Sequence, residues 1–118
     1  MQKILVEELS ISEILMGLLM NLGGYSFDEQ ALYNFFAMTD DRIRYGIKKR
    51  SNGDFYSEAI RDSLTFFEMG QFFESWGDMY LVHKQIPASI SKELTERGVL
   101  PKYESFFKNL ANQFIHTL

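Results

Sequence analysis

A mainly α domain of five or six helices, with one small antiparallel β-hairpin and a C-terminal helical extension, is the fold class this sequence predicts. Three observations carry the prediction. Serine-opened apolar stripes at helical spacing recur along the chain, and glycines close several of them. By contrast, the clearest short alternating strand signal is confined to the stretch from Trp76 to His83.

The elements follow in order. Ser10-Ile11-Ser12-Glu13 reads as a capping box, in which a serine oxygen takes a free backbone N–H and a glutamate three residues on reaches back. Ile14, Leu15, Leu18, Leu19 and Leu22 then keep helical spacing, and Gly23-Gly24 supplies a left-handed stop. Ser26-Phe27-Asp28-Glu29 reads as a second capping box opening a helix that carries Leu32, Phe35 and Phe36 to about Met38. Thr39 to Gly53 supports two readings. As a helix, Thr39 caps it, with Asp40 and Asp41 at the positive end of the dipole and Lys48, Lys49 and Arg50 at the negative end. As a strand, Ile43, Tyr45 and Ile47 alternate with polar neighbours, and Asn52-Gly53 makes a hairpin turn. The charge pattern tips the balance slightly to the helix.

Ser57 caps the next helix, whose Ile60, Leu64 and Phe67 share a face; Gly70 either ends it, with Gln71-Phe72-Phe73 starting a strand, or is tolerated within a longer helix that adds Phe72 to that face. Met79, Leu81 and His83 then alternate with Tyr80, Val82 and Lys84 as a strand that Pro87 stops. Ala88 to Arg97 is a short helix closed by Gly98. Pro101 begins the last helix, to about Ile115, with Tyr103, Phe106, Phe107, Leu110 and Phe114 as its stripe.

Residues 1–118 read as one domain, with 46% hydrophobic and 24% charged residues. The absence of cysteine excludes disulfides, thiol catalysis and cysteine-ligated metal. Glu7, Glu8 and Glu13 precede the apolar run Ile14–Met20, which therefore lacks the basic flank of a secretory signal and is too short to cross a bilayer. A cytoplasmic protein is expected. Net charge is −4, yet Arg42, Arg44, Lys48, Lys49 and Arg50 place five positive charges within nine residues, leaving −9 on the remainder. A nucleic-acid binder usually presents a broader basic face.

Phe55-Tyr56-Ser57, then Ile60, Leu64, Gly70 and Phe72, then Met79-Tyr80-Leu81, together resemble the second half of bacterial winged-helix domains. The resemblance spans about residues 10–97. It implies a third helix opened by the tyrosine–serine pair and a wing begun by the tyrosine-bearing strand, on a scaffold that binds DNA or partner proteins and has no catalytic default. Two departures weaken DNA reading. The gap before Ser57 is longer than a helix-turn-helix allows, and the exposed side of the third helix carries Glu58, Asp62 and Glu68 against Arg61 alone.

Chemistry is sparse. His83 and His116 fall in different elements, and Asp78 near His83 is the closest approach to an acid–base pair. No metal-ligand spacing, nucleophile elbow or phosphate-binding glycine loop is present, so no catalytic residue, cofactor or metal is expected. The expected function is a non-enzymatic protein–protein interaction module, as a subunit of a bacterial assembly or a homodimer built on the C-terminal helix. Its anchors are Phe73, Trp76, Tyr80, Tyr103 and Phe107, since aromatic side chains are enriched at interfaces. The alternative is DNA binding through Arg42, Arg44, Lys48, Lys49, Arg50 and Arg61, with Tyr45 placed to stack on a base or to sit in the core.

Overall fold

The computed structural model describes residues 9–38, 45–84 and 88–118. Among the described residues are five helices and five short strands in two antiparallel sheets. The predicted mainly α class with a single hairpin is therefore corrected to a small α/β fold. Its three extra strands are two or three residues long, and such short pieces carry too little period-two alternation to register in sequence.

Helix α1 (Ile11–Leu19) opens with the expected capping box: Ser10 Oγ accepts from the Glu13 N–H, and Glu13 accepts from the Ser10 N–H at 3.0 Å. Strand β1 (Ser26–Asp28) occupies what the sequence suggested was a second capping box. The cap of α2 (Glu29–Ala37) is Asp28, whose Oδ1 accepts from the Ala31 N–H at 2.6 Å, while Ser26 pairs across the sheet with Leu81. Both residues are capping types, so the spacing alone does not choose between them.

The helix favoured for residues 39–53 is also corrected. Residues 39–44 lie outside the described residues, but β2 (Lys48–Lys49) pairs antiparallel with β3 (Phe55–Tyr56). The Arg50 N–H donates to Asp54 O at 2.7 Å, and the Asn52 carboxamide holds the Asp54 N–H and side chain. Turn chemistry outweighs the complementary end charges here, because each charge at a helix end contributes only about 0.3–1 kcal/mol.

Helix α3 (Glu58–Met69) begins at buried Ser57, whose hydroxyl donates to Tyr45 O while accepting from the Ile60 N–H. One serine thus caps the helix and fastens the preceding loop, and Tyr45 is a core residue rather than a stacking platform. Strands β4 (Phe73–Trp76) and β5 (Met79–Val82) form a hairpin, and β1 adds to its far side in the order β1-β5-β4. Helices α4 (Ala88–Glu96) and α5 (Glu104–Ile115) complete the chain.

The core lies between α1, α2, α3, α5 and the inner sheet face. Phe114 meets Phe27 and Phe35 edge-on at 5.5 and 5.3 Å. Leu64, Phe67, Leu110, Phe73 and Val82 are buried around them. Where α5 crosses α1, Gly17 has no side chain and Phe107 lies directly over it.

Candidate interaction surface

The three-stranded sheet divides its residues by alternation. Phe27, Phe73 and Val82 point into the core. Ser26, Asp28, Glu74, Trp76, Met79 and Leu81 occupy the opposite face. Trp76 and Met79 are direct cross-strand partners on that outer face, 68% and 41% exposed. Gly77 allows this pairing: its φ of +60° makes the tight turn in a conformation a side chain would strain. The chain's single tryptophan thus stands at the tip of a rigid ribbon, beside a methionine and rimmed by Glu74 and Asp28.

A second exposed apolar group lies near the end of α3. Ile60, Leu64 and Phe67 fill the buried face, so Phe66 and Met69 fall on the outer one, 70% and 80% exposed. Phe66 and Phe67 border a groove of about 380 Å³ with Met16, Phe72, Ser10, Ser12, Glu93 and Arg97. Arg97 closes its polar side through ion pairs with Glu93 at 2.6 Å and Glu13 at 3.5 Å.

Tyr80 and Arg61 are brought together by Glu29, which the sequence suggested only as the glutamate of a capping box. Glu29 accepts from Arg61 Nη1 at 2.8 Å with one oxygen and from the Tyr80 hydroxyl at 3.0 Å with the other. Tyr80 is therefore an inward-facing strut with a partly buried ring, packed against Phe73 at 4.7 Å. Arg61 is committed to a carboxylate. Burial, then the hydrogen bond to Glu29 and its charge, pushes the Tyr80 phenol from 10.0 up to about 12.

Below pH 10 the Tyr80 phenol is neutral in both folded and unfolded chains, and its contribution to stability is fully present. As pH rises, the unfolded chain loses the proton first, so the contribution declines and is gone once pH passes about 12. Urea unfolding measured from neutral pH to pH 12 is expected to show a steeper alkaline decline for the wild type than for Tyr80→Phe.

Over the described residues the basic segment follows the strand-and-hairpin reading rather than the helix. Arg42 and Arg44 lie outside the described residues. Lys48, Lys49 and Arg50 are exposed on the small ribbon, with Lys49 over the Phe55 ring at 5.6 Å and Arg50 over the Tyr56 ring at 4.4 Å.

Besides Tyr80, which turns inward, two more expected anchors are corrected. Phe73 faces the core from β4, and Phe107 is buried against Gly17 in the α1–α5 crossing, so neither is presented to a partner. The C-terminal stripe supplies Phe107, Leu110 and Phe114 to this chain's own core, which removes it as a dimer seam; Tyr103 is half-buried at its start. Asp78 precedes β5 and His83 follows it, so about 16 Å of extended chain keeps them apart. Among the described residues, no group of three or more His, Asp or Glu is arranged to hold a metal, and no helix is long and apolar enough to cross a membrane.

Sequence reasoning also missed Met79, Phe66 and Met69. Their signal was present: each is a large apolar residue off the buried register of its own element. Comparison with protein-family models, with curated proteins and with solved structures returns no match for this chain.

Proposed function

We propose that this chain is a non-enzymatic protein-interaction module that uses the outer face of the β4–β5 ribbon. The observation that carries the reading is Trp76 beside Met79 on a solvent-facing sheet surface, on a strand pair whose other side is locked into the core. Aromatic residues and methionine are enriched at interfaces, and a rigid tryptophan loses little conformational entropy when covered. Phe66 and Met69 offer a second apolar contact.

Trp76→Ala is the direct test. Loss of an interface anchor costs at least about 2 kcal/mol, or roughly thirty-fold in affinity. Loss of an exposed side chain changes folding stability by only about 0.5 kcal/mol. Binding to the native partner, or sedimentation if the partner is a second copy, should therefore fall sharply while urea unfolding barely moves. Unchanged association would reject the ribbon as the contact.

A second reading is favoured by one observation. Lys48 and Lys49 stand exposed on an extended ribbon rather than at a helix terminus, so no helix dipole accounts for them. Duplex DNA binding through them should weaken steeply with salt and vanish in a Lys48→Glu, Lys49→Glu, Arg50→Glu variant. The exposed carboxylates Glu58, Asp62 and Glu68 on α3, and the pairing of Arg61 with Glu29, make this the weaker case.

A further inference from the structure

A polar cleft of about 220 Å³ opens where the first turn of α2, the β4–β5 turn and the end of β2 meet. Asp28, Glu29, Gln30, Tyr33, Arg50 and Asp78 line it. Its inner wall holds an unsatisfied group: Tyr33 is 2% exposed, and its hydroxyl makes no hydrogen bond. A buried hydroxyl without a partner costs about 1–3 kcal/mol, so such groups call for an explanation. Its neighbours do not supply one. Glu29 and Arg61 lie beside it and, after burial, bear on its ionisation; each Glu29 oxygen already accepts one hydrogen bond, from Arg61 or from Tyr80, and neither neighbour meets the Tyr33 hydroxyl with hydrogen-bond geometry.

The remaining wall is charged in both senses. Asp28 uses one oxygen to cap α2 and leaves the other open, and no ion pair engages Asp78 among the described residues. Opposite in sign, Arg50 has no carboxylate partner among the described residues and lies over the Tyr56 ring at 4.4 Å, and that ring in turn packs edge-on against Tyr33 at 5.4 Å. The carboxylates are not arranged as a metal's donor set. Two open carboxylates and a phenol oxygen match the three N–H donors of an ammonium, and a guanidinium fork matches a carboxylate.

We propose that this cleft binds a small zwitterion, a free amino acid, with its ammonium toward Asp28, Asp78 and Tyr33 and its carboxylate on Arg50. The site borders the outer face of the ribbon at Asp28, but its argument does not depend on the interaction reading. The lining residues are all polar or charged apart from the Tyr33 ring, so amino acids with small polar side chains are the preferred class.

The test is an NMR titration of the full chain with a panel of amino acids, with methylammonium and acetate as single-charge controls. Shifts at residues 28–33, 50 and 78 are expected with a small amino acid at millimolar concentration and with neither control. Trp76, two residues from Asp78, gives a parallel fluorescence signal. Tyr33→Phe separates binding from structure, because removing an unsatisfied hydroxyl leaves the fold as stable or more so. It should nevertheless weaken binding about tenfold, as should Arg50→Gln. No response to any amino acid, or equal response to methylammonium with Arg50→Gln unaffected, would overturn the proposal.

Discussion

Phe114→Ala is expected to lower the unfolding free energy by about 3–5 kcal/mol, the range for emptying a buried aromatic site. The ring is fully buried and bridges two elements from distant parts of the chain, touching Phe27 of β1 and Phe35 of α2. Its removal leaves a cavity bounded by a helix and a sheet edge that are each fixed by other contacts, so collapse around the gap is limited. For a domain whose total stability is about 5–15 kcal/mol, this is a large fraction. A fall in melting temperature of about 12–20 °C should accompany it. Phe66→Ala is the control: the same side chain is removed from a position 70% exposed, and the change should stay within about 0.5 kcal/mol. Denaturant unfolding of the two variants side by side checks both expectations.

Gly17→Val carries the second large effect. A Cβ at this position would sit 2.3–2.4 Å from three atoms of the Phe107 ring, closer than atoms pack. Glycine in a helix interior ordinarily costs about 1 kcal/mol relative to alanine, so helix propensity favours replacement. The clash dominates. Neither the ring, buried between α1 and α5, nor the two packed helices has room to yield, and overpacking of this kind costs about 1–3 kcal/mol or more. Gly17→Ala should also destabilise, by less. The decisive check is a double-mutant cycle with Phe107→Leu, which relieves the contact: the two changes together should cost less than the sum of each alone. Additive losses would mean that α1 and α5 do not meet through this pair.

How much of this was legible in the sequence depended on the length and strength of each local signal. Helix α1 was read from its capping box and stripe, and α3 from Ser57 and Ile60-Leu64-Phe67, because three turns of periodicity outweigh chance. Strand β1 was not, since Ser26 and Asp28 are both capping residues and only pairing with Met79 and Leu81 separates the strand from the cap. Lys48–Lys49 shows the same limit: a two-residue strand is defined by its partner Phe55–Tyr56, thus by tertiary context.

For the candidate surface, residue type was informative and facing was not. Trp76 was singled out as an anchor and stands exposed. Phe73, three residues earlier, has equal interface propensity but the opposite facing, and it is buried. The alternation from Phe73 to Trp76 contained that distinction once β4 is known to be a strand; without the strand, no facing could be assigned. Phe107 was misread for a different reason. Its stripe is real, but the empty surface at Gly17 that receives it belongs to a helix some ninety residues earlier. The Glu29–Arg61–Tyr80 node and the Tyr33 cleft join residues from separate elements with no shared motif, so only the folded chain assembles them.

Site-specific photo-cross-linking bears most directly on the ribbon as a protein contact. A photoreactive phenylalanine analogue placed at Trp76, in the full-length chain in its native cells, should yield a discrete adduct of defined mass. Adding Met79→Glu should abolish it, and the same probe at exposed Lys108 on α5 should give none. Indistinguishable, diffuse labelling from positions 76 and 108, insensitive to the Met79 change, would contradict the account.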